Sequence, residues 1–187
     1  MVERVRIVGN SGSGKTHFAR RLALRLGVPH LELDAVHHLP GWREAPLEQF
    51  TTDVQRFLDD SERTAGGWVV DGNYASRIGD LLDTPDTVVW LDYSRRLVMT
   101  RVVRRTFGRR LLARELWNGN RERWRSMLST DPHENIMLWA WTRHATYRER
   151  YQQAAAAAAP TTRWVRLRHR RAAERWLREL PPGTGAT

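Results

Sequence analysis

The sequence predicts a three-layer α/β domain built on a doubly wound parallel sheet of five strands. Three observations predict it. Short strand-like apolar runs alternate with longer helix-like ones along the 187 residues. Runs such as VVWL at residues 88–91 are almost continuously apolar, as strands covered on both faces are. The first run passes through a glycine-rich turn directly into a periodic segment.

Taken in order, the strands are expected at residues 4–9 (RVRIVG), 30–34 (HLELD), 68–73 (WVVDGN), 87–92 (TVVWLD) and 164–168 (WVRLR). Between the first two, Phe18, Leu22 and Leu26 recur every four residues with Ala19 and Ala23 beside them, and Gly27 and Pro29 end the pattern. A second helix is expected over residues 46–63, carrying Leu47, Phe50, Val54, Phe57 and Leu58. A third starts at an N-cap, Ser94, and carries Leu97, Val98 and Val102. Each helix links two strands, so the connections are right-handed crossovers between parallel strands. Residues 106–133 are polar, arginine-rich and weakly periodic, with a turn at Asn118-Gly119-Asn120, and read as an insertion. A long helix is expected over residues 134–159, ending in six alanines before Pro160, and a last one over residues 171–180. Residues 1–180 then form a single domain, and 181–187 a flexible tail.

Composition narrows the function classes. No apolar run approaches the ~20 residues that cross a bilayer, and the N-terminus lacks the apolar core of a signal peptide. With no cysteine, disulfides and thiolate metal sites are excluded. A cytoplasmic protein without a membrane partner is the expectation. The formal charge of +10 is uneven: residues 95–125 hold 11 arginines and two acids, whereas residues 1–94 carry 10 basic and 14 acidic groups. Of the 31 basic residues, Lys15 is the single lysine. A lone lysine in an arginine-rich chain marks a place where a compact ammonium is needed and a planar guanidinium would not fit.

That place lies inside the motif Gly9-Asn10-Ser11-Gly12-Ser13-Gly14-Lys15-Thr16, which matches the Walker A pattern. The glycines let successive backbone N–H groups turn into one concavity, where they and the following helix N-terminus attract phosphate oxygens. Lys15 supplies a mobile charge toward the outer phosphates, and the Thr16 hydroxyl is suited to Mg²⁺. ATP with Mg²⁺ is therefore the expected ligand. Such a loop also needs a carboxylate near the metal, and Asp71 and Asp92, each ending a strand, both qualify on spacing.

The short chain, the loop GNSGSGKT, the Asp71-Gly72 pair and the arginine-rich insertion resemble the adenylate kinase-like and shikimate kinase-like P-loop kinases. More narrowly, LELDAVHH, PGWREAP, WVVDGNY and ELWNGNRE look like bacterial topology modulation proteins, also described as adenylate kinase-related kinases. The resemblance implies strand order 2-3-1-4-5, which puts Asp71 beside the P-loop as the Mg²⁺-side acid with Thr16; Asp92 then reads as a helix cap or dipole partner. It places Asp34 on the acceptor side, where it would orient or deprotonate an attacking hydroxyl. It also makes the insertion a lid whose arginines close over phosphates. Lys15, Asp34, Arg101 and Arg105 are the expected catalytic residues, with Arg104 and Arg109 joining the loop at the nucleotide.

Trp42, Arg43, Asn73, Tyr74 and Arg77, with Asp34 and Asp71, are the candidate acceptor-site residues. They offer an aromatic face for stacking and guanidinium groups for an anion. After Asp-Gly, adenylate kinases continue with an aromatic residue, Pro and Arg, whereas this chain has Asn73-Tyr74-Ala75, so AMP is not the expected acceptor. The expectation is an ATP-dependent phosphotransferase acting on a small molecule or nucleotide. Two other readings stay open: a nucleic-acid-associated regulator using the basic segment with Trp117 and Trp124, and an NTPase switch without an acceptor.

Overall fold

The computed structural model describes residues 3–74, 77, 79–82, 85–111, 117–120, 131 and 135–183; for Asp80, Phe107, Arg109, Arg110 and Leu111 it describes the backbone alone. Its centre is a parallel sheet. Strand β1 (Arg4–Gly9) lies between β5 (Trp68–Asp71) and β6 (Thr87–Leu91), with β2 (His30–Glu32) beyond β5 and β7 (Arg163–Leu167) beyond β6. The order is β2-β5-β1-β6-β7. The sheet has the five strands expected of it, and a short antiparallel ribbon, β3 (His38–Leu39) with β4 (Arg43–Glu44), stands outside it.

Period-two alternation divides the core between two faces. Val5, Ile7, Val69, Val89 and Leu91 pack with Phe18 and Leu22 of α1 (Lys15–Leu26), with Val98 and Val102 of a helix spanning Arg95–Leu111, and with Leu177 of one spanning Arg170–Glu179. On the opposite face Trp68 and Val70 meet Phe50, Val54 and Leu58 of a helix spanning Leu47–Ala65, while Val88 and Trp90 meet Tyr151 of one spanning Ile136–Ala156. In chain order these helices are α3 (Leu47–Ala65), α4 (Arg95–Leu111), α5 (Ile136–Ala156) and α6 (Arg170–Glu179). The two buried stripes are why the chain needs helices on both sides.

Several local outcomes differ from the sequence reading. The second strand stops at Glu32, because residues 33–37 turn into a short helix, α2 (Leu33–His37), so Asp34 sits on that helix. Helix α4 continues to Leu111, with Thr106 buried, past the expected start of the insertion. Residues 112–116, 121–130 and 132–134 lie outside the described residues, and with them most of the expected lid, including Arg114, Arg121, Arg123 and Arg125. Helix α5 starts at Asn135, whose Oδ1 accepts from the Met137 and Leu138 amides, and ends within the alanine run. Within the expected tail, the Gly183 amide donates to Arg25 O at 2.9 Å, and residues 184–187 lie outside the described residues. Among the described residues no helix is long and apolar enough to cross a membrane.

Candidate active site

The P-loop joins β1 to α1 at the carboxyl end of the sheet, where ligands of open α/β sheets bind. Its path depends on glycine at two tight places. A Cβ on Gly9 (φ 147°) would stand 2.8 Å from Leu91 O, and one on Gly12 (φ 80°) would run into the Val102 side chain. Asn10 is buried and ties the loop to the far helix: its Nδ2 donates to Ala140 O of α5 at 2.8 Å, and its Oδ1 accepts from Ser11 N at 2.9 Å. Gly14, in the left-handed region, caps α1, whose first turn holds no acid. The first-turn N–H groups and the helix dipole therefore favour an anion at this end.

Lys15 Nζ donates to Gly9 O at 3.0 Å and to Asn10 O at 3.3 Å. Burial lowers its pKa, and Asp34 and Asp71 act against that shift. Its charge thus has acidic groups nearby.

The Thr16 hydroxyl lies between two carboxylates, 3.0 Å from Glu32 Oε1 and 3.1 Å from Asp71 Oδ1. Register brings the acids together: Glu32 on β2 is the direct neighbour of Asp71 on β5. Asp71 is buried, and its other oxygen, Oδ2, is 2.8 Å from His30 Nε2. Glu32 also pairs with Arg20 at 3.3 Å. Two carboxylates and a hydroxyl are hard oxygen donors of the kind Mg²⁺ takes while keeping water and phosphate oxygens in its remaining positions. This fits the ion implied by the loop. Among the described residues there is no cluster of three or more His, Asp or Glu side chains suited to holding a metal without such help.

Helix α4 brings Arg101 to the loop. Its Nη1 donates to Ser13 O at 2.9 Å, and its guanidinium lies over the Tyr93 ring at 5.1 Å. Arg105, one turn on, is near enough to lower the Lys15 pKa further. Arg104 points to solvent, and the Arg109 side chain lies outside the described residues.

The Tyr74 hydroxyl donates to Asp34 Oδ1 at 2.6 Å. Burial, reinforced by the Asp34 charge, drives the Tyr74 pKa far up, so the phenol stays a donor and fixes the carboxylate. Asn73 bridges the site to α5, donating to Gly9 O at 2.8 Å and accepting from the Tyr151 hydroxyl at 2.8 Å. Arg77 donates to Glu44 and to Ala45 O, each at 2.7 Å, and Arg43 is exposed, with Nε 3.3 Å from Pro40 O. Trp42 and the turn at Trp117–Gly119 meet over His38.

Two features escaped the sequence reading. His30 and Glu32 join the Thr16 site; the available signal was alternation in HLELD, which puts residues 30 and 32 on one face. Asp92 is neither cap nor dipole partner. It is buried, and its Oδ2 accepts from Arg166 at 2.6 and 2.9 Å and from Arg148 at 3.0 and 3.2 Å. Those arginines lie 56 and 74 positions away, beyond any local pattern.

No family model matches the chain, and no curated protein matches it. Solved structures do. Shikimate kinase from Acinetobacter baumannii, in complex with shikimate, superposes with a TM-score of 0.52 at 19% identity over 96% of this chain and 90% of its own. An unliganded sugar kinase from Janibacter gives 0.51 at 19% identity over 95% and 94%, and deoxyadenosine kinase from M. mycoides with bound dCTP gives 0.50 at 14% over 94% and 97%. Nothing among these three supports the narrower likeness to topology modulation proteins. At such identities the similarity concerns the fold alone, which this chain shares with the three structures.

Proposed function

We propose that the chain is an ATP-dependent phosphotransferase acting on the hydroxyl of a small-molecule acceptor. The observation that carries this reading is a convergence. Lys15, the Thr16 hydroxyl between Glu32 and Asp71, and Arg101 on Ser13 O meet at one end of the P-loop, and Asp34, fixed by Tyr74, lies close enough for its charge to act on Lys15. A site for phosphates thus lies within electrostatic reach of a carboxylate suited to an acceptor hydroxyl.

In this reading the loop amides and the α1 N-terminus hold the phosphates of ATP, with Lys15 moving from the loop carbonyls to the outer ones. Thr16, Asp71 and Glu32 would hold Mg²⁺, which supplies charge neutralisation on the phosphates. Arg101 and Arg105 place positive charge where it develops during transfer, as a preorganised electrostatic term. Asp34 orients the acceptor hydroxyl and takes its proton as the new P–O bond forms and the bond to the ADP leaving group breaks. Arg104 is exposed, and Arg77 is bonded to Glu44 and Ala45 O. A nucleic-acid reading based on the basic segment is less well supported, since Arg101 is engaged at the P-loop and Arg95 lies over Trp141 at 4.9 Å.

The test is radiolabelled ATP offered with a panel of hydroxyl acceptors to the wild type and to Lys15→Ala. Transfer to an acceptor is expected, with a loss of about 10²–10³-fold in the variant, comparable to removing one preorganised charge-stabilising donor. Release of inorganic phosphate with no acceptor labelled, or an unimpaired Lys15→Ala, would overturn the proposal.

A further inference from the structure

The acceptor side has a chemistry of its own. From Tyr74, bonded to Asp34, a continuous row of rings runs outward. His37 is 4.6 Å from Tyr74, His38 is 4.7 Å from His37, and Trp42 and Trp117 lie 5.3 and 5.5 Å from His38. The two indoles meet at 87°, forming a corner, and both are partly open to solvent. Burial lowers the pKa of both imidazoles, so the wall is uncharged at neutral pH.

This corner is held by a specific device. Trp42 sits in the left-handed region (φ 60°), which is strained for a residue with a side chain. Its amide donates to Oδ1 of the buried Asn120 at 2.9 Å, and Asn120 Nδ2 donates to Leu39 O at 3.0 Å. Asn118 Nδ2 donates to His38 O at 2.6 Å and to Ala35 O at 3.1 Å. A strained tryptophan over-determined by neighbouring bonds is the pattern of a ligand clamp. Among the described residues, Arg77 is engaged by Glu44 and Ala45 O, and the Asp34 charge would repel an anion.

We infer that the acceptor is an uncharged flat-ring compound carrying a sugar-type hydroxyl, a nucleoside by chemical class, with its ring on the Trp42–Trp117 corner and its hydroxyl at Asp34. This rests on the phosphotransferase reading above and specifies its acceptor. The hydroxyl oxygen forms the bond to the γ-phosphorus, the bridging P–O bond to the β-phosphate breaks, the proton passes to Asp34 and ADP leaves. A π face stacks on an aromatic wall whatever its substituents.

The experiment uses the full chain with MgATP and a panel of adenosine, cytidine and thymidine, with AMP and shikimate as anionic comparisons. At least one nucleoside is expected to show kcat/KM more than 100-fold above AMP and shikimate. Trp42→Ala should raise the KM for that nucleoside more than tenfold with the KM for ATP unchanged, and Trp42→Phe should restore most of it. A loss of packing alone would change both KM values. Should Trp42→Ala fail to fold, Trp117→Leu is expected to give the same split. Preference for AMP or shikimate would overturn the inference while leaving the phosphotransferase standing. Absence of both turnover of the nucleosides and adenosine binding by equilibrium dialysis with MgADP would overturn it too. ATP binding that is weakened by Lys15→Ala, measured separately, tells whether the nucleotide site survives either result.

Discussion

His30 Nε2 and Asp71 Oδ2 stand 2.8 Å apart on neighbouring strands, and this contact leaves Asp71 Oδ1 facing the Thr16 hydroxyl. A carboxylate held on one oxygen presents the other in a fixed direction, the arrangement by which outer partners orient ligands. His30→Ala is therefore expected to weaken Mn²⁺ binding in the presence of ADP by about 10–100-fold, with little change in ADP affinity without metal. Electron paramagnetic resonance of free Mn²⁺ reads this directly, and an unchanged Mn²⁺ affinity would remove His30 from the site.

Gly12 has left-handed geometry and Val102 where a Cβ would lie. Gly12→Ala adds strain and overpacking together and is expected to cost about 1–3 kcal/mol. A urea titration should show a lower midpoint at unchanged slope. A midpoint equal to wild type would mean that the loop and α4 separate more easily than their packing indicates.

Asp92 accepts from two arginines on one buried oxygen, and Arg166 also stacks over Trp90 at 4.3 Å. Asp92→Asn keeps the shape and removes the charge, and it should destabilise the fold by about 1.5–3 kcal/mol, the range for hydrogen bonds to charged groups. Part of the loss should return in Asp92→Asn/Arg148→Met, because Arg148 then no longer competes for the neutral amide. Equal stability of wild type and the single variant, measured in guanidinium chloride, would contradict this.

Arg21 and Glu174 join α1 to α6 through two bonds of 2.6 and 2.7 Å. The hydrogen bond from Arg21 holds the Glu174 carboxyl below its ordinary range. A depressed folded-state pKa gives stability that is fully present above the unfolded value and is lost as pH falls through the folded one. Both side chains are partly exposed, so Glu174→Gln should cost only about 0.5–1 kcal/mol near pH 7. The gap to wild type should close as pH falls below the ordinary carboxylate range. A gap constant down to acidic pH would assign the effect to packing.

Much of the phosphate site was legible because its determinants are adjacent in the chain. Gly9 to Thr16 carry the turn, the charge and the hydroxyl within eight positions, and the backbone path of such a loop follows from its glycines and the helix it opens. The acceptor side was harder to read. Asp34 was expected at a strand end, yet the chain turns helical at Leu33 because that side chain is buried among Phe50, Val54 and Val70. Arg77 was expected to meet an anion, and it lies instead against Glu44, 33 positions away.

The sequence by itself determined the alternation of strands and helices, the phosphate-binding loop and the unusual lysine, since each is set by periodicity, turn chemistry or side-chain type within a short window. Tertiary structure decided which acids and arginines meet. Register set Glu32 beside Asp71, packing of α5 brought Ala140 O to Asn10 across 130 positions, and the Asn118–Asn120 turn took hold of the Trp42 loop from about 80 positions away. Those contacts depend on how faces stack after the chain collapses, and a pattern of neighbours along the chain carries no information about that.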